Sequence, residues 1–260
     1  NRGGISAIET MRALDFMVVG AQKSGTTALS GFLGEHPGIR MSEPKEVHAF
    51  DVEEKALSVE NINACYASAF SGGQHNNVIL GEATPIYMYF TDIARQLHNY
   101  NPKIKLIIVL RNPVERAYSH YCMERERGNE HRPFWIALAL EWLRLKKDSK
   151  PRGENSAHRL WSYRNRGYYS HQLEAIYKVF SRDQVHVISN EALREGQDAT
   201  LDKIFDFLNV PREVIPGRLV FTLNTDVREV SVCRFLLRLA YRREIRRLQK
   251  YVDFSTDAWR

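Results

Sequence analysis

The 260-residue chain has only three cysteines, Cys65, Cys122 and Cys233, and they lie far apart. An odd, scattered set of thiols makes neither a disulfide framework nor a zinc site, so a reducing compartment, and with it a cytoplasmic location, is the simpler expectation. Long hydrophobic runs are also missing. No apolar stretch reaches the ~18 residues that cross a bilayer, and no basic, apolar, small-residue leader is visible. The sequence starts at Asn1 rather than methionine, which leaves a longer parent protein open. Internal repeats and low-complexity tracts are lacking, which favours one domain over 1–260, with 1–14 as an N-terminal extension and 231–260 as a C-terminal helix and tail. Acidic residues are in deficit, 31 against 37 Lys and Arg, and the net charge of +6 points to an anionic ligand or partner.

What is present is an alternation of short apolar runs with helical patterns, the signature of an α/β fold with a central parallel sheet flanked by helices. Strands are expected at 16–20 (FMVVG), 78–83 (VILGEA), 104–110 (IKLIIVL) and 185–189 (VHVIS). Helices are expected from Thr26 to Leu33, from Pro113 to about Met123 behind an Asn112 cap, and over 199–210 with Leu201, Ile204, Phe205 and Leu208 on one face. The polar, basic segment 148–167 reads as a functional or mobile loop.

The stretch GAQKSGTTAL raises the first functional question. Gly20 and Gly25 have the spacing of a phosphate-binding loop, yet Lys23 falls between them, and Thr26 and Thr27 follow the second glycine. A helix start offers free backbone N–H groups and a positive dipole end to an anion, and Lys23 adds a full charge. A nucleoside-triphosphate loop places its lysine after the second glycine and its Mg²⁺-binding hydroxyl next to it. Here the strongest strand ends in Arg111, not in a metal-binding aspartate. At the carboxyl end of that strand Arg111 is placed to grip a second phosphate, and Ser119, two turns into the next helix, can add a hydroxyl. EPKEVHAFD (43–51) supplies Glu43, Glu46, His48 and Asp51 as general-base candidates. If this segment is extended, Glu46 and His48 project to the same side. His36, His98 and His186 read as structural or surface residues.

On these residues the chain resembles the sulfotransferases that use 3′-phosphoadenosine 5′-phosphosulfate (PAPS), as a bacterial relative of the heparan-sulfate-type branch with a P-loop-NTPase-like fold. GAQKSGTTAL resembles the 5′-phosphosulfate loop, LRNPVERAYSHY the 3′-phosphate segment, and EPKEVHAFD the segment that carries the base; GEATPIY (81–87) and 166–210 match later landmarks. The resemblance implies that Gln22, Lys23, Ser24, Gly25, Thr26 and Thr27 bind the phosphosulfate. It implies that Arg111 and Ser119 bind the 3′-phosphate, with Arg228 as a further contact. Glu46 is implied as base, His48 as its partner, and Lys23 as the group on the bridging oxygen where charge develops. The products are 3′,5′-ADP and a sulfated acceptor, and no metal is implied.

The sequence departs from the glycan-modifying branch at Ala83, where a lysine is common, and in lacking its C-terminal disulfide and cofactor loop. The acceptor therefore stays open among a carbohydrate, a natural-product hydroxyl and a carrier-bound chain. Arg234, Arg238, Arg242 and Arg246 recur beside an apolar stripe of Leu237, Tyr241, Ile245 and Leu248, which reads as a docked helix with a basic edge. No RNA-type aromatic pattern accompanies it, so neither nucleic acid nor membrane is an expected partner. Two other functions compete: a P-loop small-molecule kinase, which needs Mg²⁺, and a non-catalytic polyanion-binding module, which tolerates loss of Glu46.

Overall fold

The computed structural model describes residues 11–51, 58–70, 77–217 and 231–259. In chain order the elements are β1 (Phe16–Gly20), α1 (Thr26–Gly34), β2 (Ile39–Met41), α2 (Val59–Ala69), β3 (Ile79–Glu82), α3 (Ile93–Tyr100), β4 (Lys105–Leu110), α4 (Pro113–Glu126), α5 (Phe134–Lys147), α6 (Ala157–Leu160), α7 (Tyr169–Tyr177), β5 (Val185–Ser189), α8 (Asn190–Glu195), α9 (Gln197–Leu208) and α10 (Ser231–Leu248). All strand pairs are parallel, in the order β2-β3-β1-β4-β5.

The four expected strands form within a residue or two of their expected bounds. The three expected helices form as well, with α4 running to Glu126 and α9 shifted to 197–208. β2, α2, α3, α5 and α7 were not legible as elements. Segment 148–167 is not a bare loop: it contains α6 and packs Ser162, Tyr163 and Arg166 into the interior.

Strand side chains alternate between faces, and here both faces are covered, which is why β1 and, after Lys105, β4 carry no polar side chain. Phe16 and Val18 of β1 and Ile107 and Val109 of β4 meet Leu29, Phe32 and Leu33 of α1 and Leu201, Ile204, Phe205 and Leu208 of α9. Met17 and Val19, with Leu106 and Ile108, join the larger core on the other face, built from α2, α3, α4, α7 and α10. Gly81 in β3 is a close-approach position. A Cβ there would stand 2.1 Å from the Phe16 ring, so any side chain at this point would displace that buried ring.

The α10 stripe docks as expected, with Leu237, Tyr241, Ile245 and Leu248 buried alongside Cys233. Each full burial of this kind contributes roughly 1.5–3 kcal/mol, enough to seat one helix. Arg238, Arg242 and Arg246 remain exposed, whereas Arg234 lies over the Tyr118 ring and pairs with Glu115. Among the described residues no helix is long and apolar enough to cross a membrane.

Strand order positions the site. β1 and β4 are neighbours in register, so the loops leaving their carboxyl ends emerge side by side, where open α/β sheets bind ligands. Lys23 and Arg111 are 88 positions apart in sequence and adjacent in space for this reason.

Candidate active site

A cleft of about 870 Å³ opens at this edge of the sheet. Its walls include the β1–α1 loop, the 45–48 segment, Arg111 and the inner side of α4.

The β1–α1 loop is fixed by backbone bonds, Ala21 N–H to the Val109 carbonyl at 2.8 Å and Ser24 N–H to the Ala21 carbonyl at 3.1 Å. Lys23 adopts a left-handed backbone, φ 69°. Gly25, at φ 101°, is the N-cap of α1. Having no side chain, it leaves the first-turn N–H groups uncapped by its own atoms, the arrangement an anion can use. Asn190, at the start of α8, closes the loop from behind by donating Nδ2 to the Ser24 carbonyl at 2.8 Å. Gln22, Lys23, Gly25, Thr26 and Thr27 line the cleft, whereas Ser24 lies buried behind the loop. Burial, and next the nearby Arg127 charge, lower the Lys23 pKa. The energetic pressure is therefore for an anion to join it.

Arg111 and Ser119 line the same cleft. Tyr169 donates its hydroxyl to the Arg111 carbonyl at 3.0 Å, and the Arg111 guanidinium points back toward the Lys23 carbonyl at 3.4 Å. Burial lowers the Arg111 pKa, another cation desolvated without a full counter-charge. Arg228 lies outside the described residues.

The 43–51 segment is not a strand. His48 has a left-handed backbone, φ 55°, so Glu46 and His48 meet through a kink rather than through strand alternation. His48 Nε2 is 3.5 Å from Glu46 Oε2, and His48 Nδ1 is 2.9 Å from Asp51 Oδ2. Asp51 is fully buried and is also gripped by Arg159, whose Nη1 lies 2.8 Å from Asp51 Oδ2 and whose Nη2 donates to the Asp51 carbonyl at 2.6 Å. Burial alone would push the His48 pKa down, but the hydrogen bond and charge of Asp51, with Glu46 beyond, outweigh it and the pKa is raised. Burial likewise pushes Asp51 up, but His48 and Arg159 outweigh it and hold the carboxyl below its ordinary range.

Beneath this segment Glu82 is completely buried at the end of β3. Its Oε1 accepts Val47 N–H at 3.1 Å and the Tyr87 hydroxyl at 3.2 Å, and also bonds Thr84; its Oε2 accepts the Tyr66 hydroxyl at 2.6 Å. Tyr87 in turn takes Ala49 N–H at 2.9 Å. Burial raises the Glu82 pKa despite these donors.

Arg159, Arg166, Asn190 and Glu82 were not singled out from the sequence. Arg166 is buried, bonds Gln22 Oε1, and holds the His158 and Arg159 carbonyls at 2.7 and 2.8 Å; burial lowers its pKa to about 10. Glu82, Arg166 and Asn190 carried a signal only through their place in the recognised landmarks GEATPIY and 166–210, and Arg159 carried none. His36 is structural as expected: its Nδ1 accepts Gly38 N–H at 2.9 Å and its Nε2 lies 2.9 Å from the Pro211 carbonyl. His98 and His186 likewise pack against Phe180 and Phe207.

A five-stranded parallel sheet with a glycine loop after its first strand and an arginine after its fourth is the layout of a P-loop-like α/β fold. The Sulfotransferase domain family model matches residues 14–222 of this chain. The chain belongs to the sulfotransferase family. It is 30% identical over 208 residues to human heparan sulfate glucosamine 3-O-sulfotransferase 6, covering 79% of this chain and 55% of that protein. It is 28% identical over 201 residues to the bifunctional heparan sulfate N-deacetylase/N-sulfotransferase 1 of Caenorhabditis briggsae, covering 76% of this chain and 23% of that protein. The solved sulfotransferase of Alicyclobacillus acidocaldarius superposes with a TM-score of 0.77 at 28% identity, covering 96% and 99% of the two chains. The chain thus spans about half the length of the human relative and about a quarter of the nematode one.

Proposed function

We propose that this chain moves a sulfuryl group from PAPS to an acceptor hydroxyl, with Glu46 as the general base. The observation that carries the reading is the convergence on one cleft of Lys23 with the uncapped start of α1, Arg111 with Ser119, and the Glu46, His48, Asp51 chain. Two cationic sites, each desolvated, suit a donor with anionic groups at both ends.

The donor supplies an activated sulfuryl group and a stable leaving group. Lys23 and the first-turn N–H groups of α1 hold the 5′ end, and Lys23 meets the negative charge that grows on the bridging oxygen. Arg111 and Ser119 hold the 3′-phosphate. Glu46 takes the proton of the acceptor hydroxyl as its oxygen bonds to sulfur and the sulfur–bridging-oxygen bond breaks, its electron pair passing to 3′,5′-ADP. His48, oriented by Asp51, fixes the Glu46 carboxylate. The 3-O-sulfotransferase relative supports a carbohydrate hydroxyl as acceptor. Glu126, Glu154 and Arg159 in the cleft wall offer hydrogen-bond partners that hydroxyl-rich ligands use.

The test is a thermal shift with 3′,5′-ADP in the absence of metal, set against ATP with Mg²⁺. The expected result is stabilisation by 3′,5′-ADP, growing with its concentration as ligand linkage requires. Stabilisation by Mg²⁺–ATP alone would overturn the reading in favour of a kinase.

A further inference from the structure

Lys45 stands between the donor loop and the base, and nothing in the reaction as described above uses it. Its carbonyl is pinned at the end of β3, accepting the Ser42 hydroxyl at 3.1 Å and Ala83 N–H at 3.3 Å. From there the side chain, part of the cleft lining, reaches the first turn of α1. Its Nζ donates to Thr27 Oγ1 at 3.1 Å and lies 2.9 Å from Glu46 Oε1. One ammonium therefore touches a hydroxyl of the anion-binding turn and the carboxylate that takes the proton.

Resting on the sulfotransferase reading, we propose that Lys45 is a second catalytic lysine, which binds the oxygens of the sulfuryl group in flight. Lys23 serves the leaving oxygen on one side of sulfur, and Glu46 serves the incoming oxygen on the other. The sulfuryl oxygens lie between these two and carry negative charge throughout. A carboxylate facing them without a cation between is repelled, by about 4 kcal/mol per charge pair at 4 Å and an effective dielectric of 20. Lys45 is placed where that repulsion arises. An ammonium has three N–H donors on a flexible stem, so it can turn from Glu46 to a sulfuryl oxygen without moving its backbone. That turn leaves Glu46 free for the acceptor proton. No bond to Lys45 forms or breaks.

The prediction concerns which ligand loses affinity. PAPS carries the sulfuryl oxygens; 3′,5′-ADP lacks them and keeps both phosphates. Calorimetric titration of Lys45→Met with each ligand, without acceptor, should show PAPS binding weakened about tenfold, the loss of one charge-assisted contact, with 3′,5′-ADP binding close to wild type. Retained 3′,5′-ADP binding also shows that the variant is folded. Lys45→Arg should keep the wild-type ratio of the two affinities. Equal loss for both ligands in Lys45→Met, or no loss for either, overturns the proposal. Should Lys45→Met not fold, Lys45→Arg decides it, because a ratio shifted against PAPS in that variant overturns it. If wild-type protein binds neither ligand, it is the donor assignment itself that fails, a result distinct from any change confined to the variants.

Discussion

His48 and Asp51 form a hydrogen-bonded pair, Nδ1 to Oδ2 at 2.9 Å, in which the imidazole is part-exposed and the carboxylate is fully buried. The pair raises the pKa of one partner and lowers that of the other, so its stabilising effect has a defined pH window. A histidine with a raised folded pKa contributes fully below its unfolded value, about 6.5, and loses the contribution as pH rises through the folded value. An aspartate with a lowered folded pKa contributes above its unfolded value, about 3.8, and loses it as pH falls through the folded value. The Tm difference between wild type and His48→Asn should therefore be largest between about pH 4 and 6.5, and should shrink at alkaline pH. A difference that grows steadily toward pH 9 would contradict the pairing.

Glu46→Gln keeps the shape of the side chain and removes its ability to take a proton. Turnover should fall by at least about 10²-fold, the usual contribution of a positioned general base. The affinity for 3′,5′-ADP should hold, because Lys23 and Arg111 are untouched. Steady-state sulfation with labelled PAPS, beside calorimetry with 3′,5′-ADP, separates the two effects. Full activity in this variant would move the base to His48.

How much of this arrangement could be read from the sequence follows from sequence distance. Lys23 and Arg111 were legible because each sits in a local strand, loop and helix pattern whose carboxyl end is a ligand site by topology. Glu46, His48 and Asp51 lie within six positions and were legible as a cluster. The groups that hold them were not. Arg159 reaches Asp51 across 108 positions, and Arg166 reaches Gln22 across 144. No period or spacing links such residues, so 148–167 read as a polar loop where the structure has Arg159 part-buried and Arg166 buried. The kink at His48 was hidden for a different reason. Left-handed backbone is uncommon for residues other than glycine, and here the contact of His48 with buried Asp51 holds it in place.

Gly25 offers a test of the anion loop that leaves every charge in place. At φ 101° a Cβ is strained, and it would stand 2.6 Å from Asn190 Nδ2, the atom that closes the loop from behind. Gly25→Ala should cost about 1–2 kcal/mol from the backbone alone. It should also weaken 3′,5′-ADP binding, since Asn190 must move away from the Ser24 carbonyl. Urea midpoints and ligand titration measure the two losses. Unchanged ligand affinity would show that the loop is not the anion seat.

Glu82 tests whether the base segment is positioned from below. Its Oε1 accepts Val47 N–H, which can only donate, so in Glu82→Gln the amide oxygen must take that place. The amide nitrogen then meets the Tyr66 hydroxyl, which has to reverse from donor to acceptor in a closed interior. The expected loss of stability is about 1–3 kcal/mol, the cost of a buried polar group poorly paired. Val47 adjoins both Glu46 and His48, so a shift of its N–H displaces the base. kcat should therefore drop while 3′,5′-ADP affinity, which depends on the other side of the cleft, stays near wild type. Tyr66→Phe removes a single hydroxyl and leaves the Val47 contact intact, so it should lose stability with little change in kcat. If the two variants instead lose turnover in proportion to stability alone, Glu82 is a core acceptor without a positioning role.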